Sequence, residues 1–282
     1  MQAICVKELK HNFGEKQVLK NINLEIAEGE IFGMLGPSGA GKTTLINILT
    51  GQLRPAKGNC RILDKDVEKM SGNDYLKMGI MMDSFGLYER MSCYDNLKFY
   101  RMLDGEKADG IEEVLEKVGL GKSGKTAAMN LSKGMRNRLA FARAIMRQPK
   151  ILFLDEPTSG LDPMTIEAIH DMILEEKRKG TTVFLTTHNM HEAEKLCDHI
   201  ALLNEGMIVE YGKPEEICRR YNHQKKIKLH LKNGEDVELL HAKESGVLLA
   251  AYFENGEVET IHSTEPNLKT VFMELTGRGL DK

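Results

Sequence analysis

The octapeptide Gly36-Pro37-Ser38-Gly39-Ala40-Gly41-Lys42-Thr43 constrains this chain more than any other segment. It follows an apolar run, Glu30 to Leu35, that reads as a buried strand. It precedes Lys42 to Leu49, where Leu45, Ile48 and Leu49 recur at helical spacing. Strand, glycine-rich loop, helix is the order that a phosphate-cradling loop requires. The glycines let the backbone wrap closely round phosphate oxygens, the loop amides point inward, and the helix adds its positive end. The spacing GxxxxGK[ST] predicts a nucleoside triphosphate as ligand, most simply ATP. Lys42 would reach its β- and γ-phosphates and the Thr43 hydroxyl would ligate Mg²⁺, with Thr44 next to them.

The rest of the chain supplies the layers such a loop needs. Ala3 to Leu9 and Val18 to Ile26 read as an antiparallel β opening. Buried strands are expected at Ile151 to Leu154, Thr182 to Thr186 and Ile200 to Asn204. They alternate with helices at Thr165 to Lys179 and His191 to Cys197. That alternation predicts an α/β fold with a mainly parallel sheet. The stretch from about 83 to 147 reads as helical instead, with helices at Tyr94 to Leu103, Ile111 to Val118 and Leu131 to Met146. It is expected to be an inserted subdomain. From Asn222 the texture changes. Ile227, Leu229 and Leu231 alternate, Asn233-Gly234 signals a hairpin, and short strands are expected at Val247 to Phe253 and Val258 to Ile261. A closing helix is expected from Asn267 to Leu275. The expected division is therefore 1–221 and a small α+β appendage, 222–282.

Two carboxylates end the strand Ile151-Leu152-Phe153-Leu154-Asp155-Glu156, at the edge where parallel sheets bind ligands. Behind a phosphate loop, Asp155 is suited to hold Mg²⁺ and Glu156 to act as general base towards water. His188, in Thr186-Thr187-His188, falls at the same edge and could donate to a γ-phosphate. Ser132 begins a helix and suits an N-cap or an anion site.

Charge and composition narrow the partners. The net charge is −3 with lysine and arginine spread along the chain, so nucleic acid is not an expected partner. The five cysteines show no paired spacing and are expected to be packing thiols of a reducing compartment. The opening MQAICVKELKHNFGEK carries charges where a signal peptide needs an apolar stretch, and the apolar runs are too short to span a bilayer.

The pieces GPSGAGKT, LSKGM, ILFLDEP, Ser159-Gly160-Leu161-Asp162 and TTH stand in the order of one family. The chain from Met1 to about Tyr221 resembles the ATP-binding subunit of an ABC transporter. The resemblance implies that Phe13 stacks on adenine. It implies that Ser132, Lys133 and Gly134 face the ATP site of a second subunit, and that Asp162 lies at that dimer interface. It also implies that His188 contacts the γ-phosphate and that the helical insert docks on an integral membrane permease. The expected setting is a homodimer at the cytoplasmic face of a membrane, bound through the permease. Asp83 stands where the family usually has glutamine. There it could approach Mg²⁺ or water as an acceptor, and cassettes that resemble antimicrobial-peptide exporters often carry an acidic residue there. The signature reads LSKGM in place of LSGGQ, which puts the Lys133 cation near the partner's γ-phosphate and replaces an amide with Met135. The acidic residue at position 83 and the tail NLKTVFMELTGRGL, which resembles those of drug- and peptide-export cassettes, imply export of a peptide antibiotic, a drug or a lipid-like molecule. A soluble or regulatory ABC ATPase that drives no transport is the alternative.

Overall fold

The structure is a computed structural model, and it describes residues 1–82, 86–103, 105, 109–223, 226–240, 242–263 and 266–277. The chain opens with two long strands, β1 (Gln2–Phe13) and β2 (Lys16–Ala27), followed by β3 (Ile31–Leu35) and helix α1 (Lys42–Leu49). Next come β4 (Lys57–Ile62), β5 (Lys65–Asp66), the single turn α2 (Gly72–Tyr75) and β6 (Met78–Met81). A helical stretch holds α3 (Cys93–Leu103), α4 (Ile111–Lys117) and α5 (Lys133–Ile145). After it, α/β alternation resumes with β7 (Ile151–Asp155), α6 (Pro163–Arg178), β8 (Thr182–Thr187), α7 (Met190–Leu196), β9 (His199–Asn204), β10 (Met207–Gly212) and α8 (Pro214–Arg220). The C-terminal stretch is β11 (Lys226–Leu231), β12 (Asp236–Leu240), α9 (Lys243–Glu254), β13 (Val258–Ser263) and α10 (Leu268–Thr276).

Three sheets result. The first, ordered β2-β1-β4-β5, is antiparallel throughout. The second is ordered β10-β9-β3-β8-β7-β6. Its strands β6, β7, β8, β3 and β9 run parallel, and β10 closes one edge antiparallel. This is the mainly parallel sheet and antiparallel N-terminal layer that the sequence predicts.

The parallel sheet is buried on both faces, which accounts for its apolar runs. Leu152 and Leu154 point into a core shared with the helices, whereas Ile151 and Phe153 point into the core between the two sheets and α1. Ile31 and Leu35 oppose Phe32 and Met34 in the same way, and Val183 and Leu185 oppose Phe184. Each strand thus contributes alternate residues to two cores, as the pleat requires. Phe32, Phe153 and Phe184 meet as ring pairs on the inter-sheet side, with centroids 5.5 and 5.8 Å apart.

The helical stretch is tied to the sheet as well as to itself. Helix α5 lies so close to β6 that a Cβ on Gly79 would stand 2.3 Å from the Ala144 carbonyl oxygen. Beyond α8 the third sheet, ordered β12-β11-β13, is antiparallel and buries Leu229, Leu231 and Leu239 as its own small cluster.

Two outcomes differ from, or add to, the sequence expectation. Val247 to Phe253, expected as a strand, is part of helix α9. Its Leu and Ala residues are good helix formers. Leu249 and Tyr252, three apart, turn inward onto the small sheet, while Val247 is 73% and Leu248 53% exposed. An apolar run is ambiguous between strand and helix, and here helix propensity prevails. The closing helix α10, capped by the Asn267 side chain on the Thr270 amide, buries Leu268, Val271 and Phe272 in the large core of the parallel sheet, not in the small cluster.

Candidate functional site

The loop after β3 has no room for a side chain at its first glycine. A Cβ on Gly36 would stand 2.2 Å from the Leu203 carbonyl oxygen, so only glycine lets the loop leave β3 beside β9. Gly39 and Gly41 take φ of +80° and +113°, the left-handed side that favours glycine. The Ala40 carbonyl accepts from the Gly206 amide at 3.2 Å and pins the loop to the turn after β9. No side chain caps α1 and no acidic residue sits in its first turn. Its first amides have no intrahelical acceptor and, with the helix dipole behind them, are suited to bind an anion. Ser38 and Gly39 at the loop crest are exposed, and Pro37 and Thr44 are half-buried.

Strand order explains the rest of the site. β3, β8 and β7 are neighbours, and the register pairs Leu35 with Thr187 and Asp155 with Thr186. The phosphate loop, Asp155-Glu156 and His188 therefore leave the sheet side by side. The Lys42 ammonium is buried, 2.6 Å from the Gly36 carbonyl oxygen and 3.3 Å from Glu156 Oε1. Thr43 Oγ1 donates to Asp155 Oδ2 at 2.8 Å, and Thr186 Oγ1 donates to Asp155 Oδ1. His188 Nδ1 lies 2.7 Å from Glu156 Oε2, so the ring carries its proton there. In the neutral ring Nε2 is then an acceptor, and only the imidazolium donates from both nitrogens.

Glu156 sits on a left-handed backbone, φ 51°, which costs a non-glycine residue about 1 kcal/mol or more. Its amide is held by the Thr186 carbonyl at 3.1 Å and the Thr186 hydroxyl at 3.3 Å. The turn aims the carboxylate across to Lys42 and His188. Thr186 thus organises both acidic residues, a role that sequence reasoning missed. The signal available was a pair of hydroxyl residues, Thr186 and Thr187, closing the strand directly before His188.

Other sequence candidates lie elsewhere. Ser132 is exposed and caps α5, accepting from the Met135 amide at 3.2 Å. The Lys133 ammonium lies against Gly160, where an added Cβ would meet it at 2.4 Å. Gly134 faces Thr165, whose Cγ2 stands 3.0 Å from a Cβ added there. Asp162 caps α6, accepting from the Thr165 amide at 3.0 Å and its hydroxyl at 2.6 Å, and those bonds hold its carboxyl below the usual range. Among the described residues no hydrogen bond or ion pair joins Ser132, Lys133 or Gly134 to the loop at 36–43. Phe13 is 52% exposed at the end of β1, edge-on to His11 at 4.8 Å. Asp83 lies outside the described residues. Burial raises the thiols of Cys93 and Cys197 and pushes Cys60 up to about 12, which leaves them protonated packing groups at neutral pH.

The donor set fits a magnesium nucleotide. Thr43 and Asp155 present hard oxygen ligands next to Lys42, and Mg²⁺ in such sites takes one or two protein oxygens with the phosphates and water. Among the described residues no helix is long and apolar enough to cross a membrane.

A sequence profile described as ABC transporter matches residues 19–159. A fluoroquinolones export ATP-binding protein of Mycobacterium tuberculosis is 37% identical over 268 residues, covering 93% of this chain and 88% of that protein. A lantibiotic transport ATP-binding protein of Streptococcus pyogenes is 35% identical, over 78% of this chain and 96% of its own. A Nod factor export ATP-binding protein of Bradyrhizobium diazoefficiens is 31% identical, over 99% and 98%. Among solved structures, cbiO1 from Clostridium perfringens, part of the ABC transporter complex cbiONQ, superposes with a TM-score of 0.69 at 29% identity, covering 77% of this chain and 90% of that one. A dimeric ATP-binding cassette in a post-hydrolysis state bound to ADP and Pi gives a TM-score of 0.68 at 27% identity, over 74% and 98%. With a phosphate loop, an acidic pair and a histidine meeting at one sheet edge, the chain belongs to the ABC transporter family as one of its ATP-hydrolysing, nucleotide-binding cassettes.

Proposed function

We propose that this cassette powers export of a peptide antibiotic, a drug or a lipid-like molecule through an integral membrane permease on a separate chain. It would act as a homodimer at the cytoplasmic membrane face. The observation that carries the reading is that the site is half-built. Lys42, Thr43, Asp155, Glu156 and His188 are linked by contacts, whereas Ser132 caps α5, Lys133 lies against Gly160 and Gly134 against Thr165. A second copy would bring its Ser132 and Gly134 to this phosphate loop, with Asp162 at the joint and Phe13 on adenine. Export is favoured by the fluoroquinolones export and Nod factor export relatives, and a peptide cargo by the lantibiotic transport relative. The cargo would pass through the permease without touching the cassette. The functional division is taken at residue 221, with the helical stretch at about 83–147 as the permease-facing part and 222–282 as an appendage.

The chemistry follows from the contacts. The loop amides, Lys42 and α1 hold the triphosphate. Mg²⁺ held by Thr43 and Asp155 would offset charge on the β- and γ-phosphates. A phosphate offers Lys42 a stronger partner than Glu156, which frees Glu156 Oε1 to take a proton from water attacking the γ-phosphorus. His188 keeps Oε2 oriented and stands where it would contact the γ-phosphate. The test is Glu156→Gln, which keeps the shape and removes the base. It should bind ATP with unchanged affinity and lose turnover by about 100-fold or more, and it should accumulate as a nucleotide-bound dimer in size-exclusion chromatography. Turnover at the native rate removes Glu156 from the base role. Co-purification with a permease that stimulates turnover tests the transport reading.

A further inference from the structure

Behind the nucleotide face, three segments of the site converge on one buried carboxylate. Glu192 lies on α7, four residues beyond His188, and is 1% exposed. Its Oε1 accepts from Thr158 Oγ1 at 2.8 Å and lies 3.1 Å from His170 Nε2. Thr158 follows Glu156 by two residues. His170 is on α6, the helix that Asp162 caps. The intervening Pro157 carbonyl accepts from Asn137 Nδ2 at 2.6 Å, which ties the same loop to α5, the helix that Ser132 caps. Among the described residues, His170 Nδ1 and Glu192 Oε2 are buried without a hydrogen-bond partner.

Such a cluster is costly. Buried polar atoms left unpaired weaken the fold, and apolar residues of similar size generally pack at least as stably. Stability therefore does not account for it, but geometry does. The left-handed turn at Glu156 persists only if its surroundings hold it there. Thr186 holds it from the strand side and Thr158 anchors it two residues on.

We propose that Glu192 is a positioning residue that, through Thr158 and His170, fixes the segments carrying Glu156, Asp162 and His188 in one relative arrangement. The inference rests on Glu156 being the general base. It predicts an effect on turnover and not on nucleotide binding, because Lys42, Thr43 and the loop amides take no part in the cluster.

The test compares two near-isosteric replacements in the full chain, read as steady-state ATPase activity, ATP affinity and melting temperature. Thr158→Val keeps the shape and removes the hydroxyl. Thr158→Ser keeps the hydroxyl and removes a methyl. A positioning role lowers kcat about tenfold in Thr158→Val, leaves KM and ATP affinity within about twofold, and is rescued to within about twofold by Thr158→Ser. A packing role gives the opposite order, with serine the more damaging. Native kcat in Thr158→Val, or serine as slow as valine, overturns the inference. If Glu156→Gln abolishes turnover while Thr158→Val does not slow it, only the positioning role fails. Normal turnover in Glu156→Gln removes the base assignment and this inference with it.

Discussion

Strand β7 and strand β11 carry similar apolar residues in different patterns. In β7, Ile151, Leu152, Phe153 and Leu154 are consecutive and all buried, because helices cover one face of the sheet and a second sheet covers the other. In β11, Ile227, Leu229 and Leu231 alternate with Lys228 and His230, because the small sheet has one protein-covered face. Two-sided burial makes strands continuous in the sequence and fixes where their ends lie. One-sided burial leaves a thin cluster whose covering helix keeps much of its own apolar surface in water. The phosphate site stands on the first kind of sheet, where a strand end is held from both faces.

Substitutions sharpen this contrast. Phe153→Ala, at the ring pair with Phe184, should cost about 3–5 kcal/mol in denaturant unfolding of the whole chain, with ATPase activity lost at moderate temperature. A cost below about 1 kcal/mol would show that the inter-sheet core is not the stronger one. Leu229→Ala empties a smaller cluster. It should cost about 2 kcal/mol, confined to residues 226–263 in hydrogen exchange, with the turnover of the cassette retained. Whole-chain destabilisation would instead make the two cores one cooperative unit. The smallest effect is expected for Leu248→Gln on the outer side of α9, within about 0.5 kcal/mol of native.

Legibility in the sequence follows the same division. The phosphate loop, the parallel strands β3, β7, β8 and β9, the acidic pair and the histidine were readable because both the buried strands and the glycine loop impose residue types at fixed neighbouring positions, whereas the four-residue β6 was not. The stretch Val247 to Phe253 misled because its outer face is apolar without being buried, which erases the periodicity that separates helix from strand. The closing helix was readable as an amphipathic helix, yet its attachment to α7 and α8 was not. Leu268, Val271 and Phe272 record that a face is buried, not which surface buries it.

The sequence by itself determined the ligand class. GxxxxGK[ST] between a strand and a helix cradles phosphate through local backbone geometry alone, and the order of the following motifs set the family. Only the tertiary structure decided which residues act together. Thr186 between Asp155 and the Glu156 amide, and Glu192 between Thr158 and His170, are contacts between segments 22 to 34 residues apart. Such contacts depend on strand order and helix packing, which a linear sequence does not state.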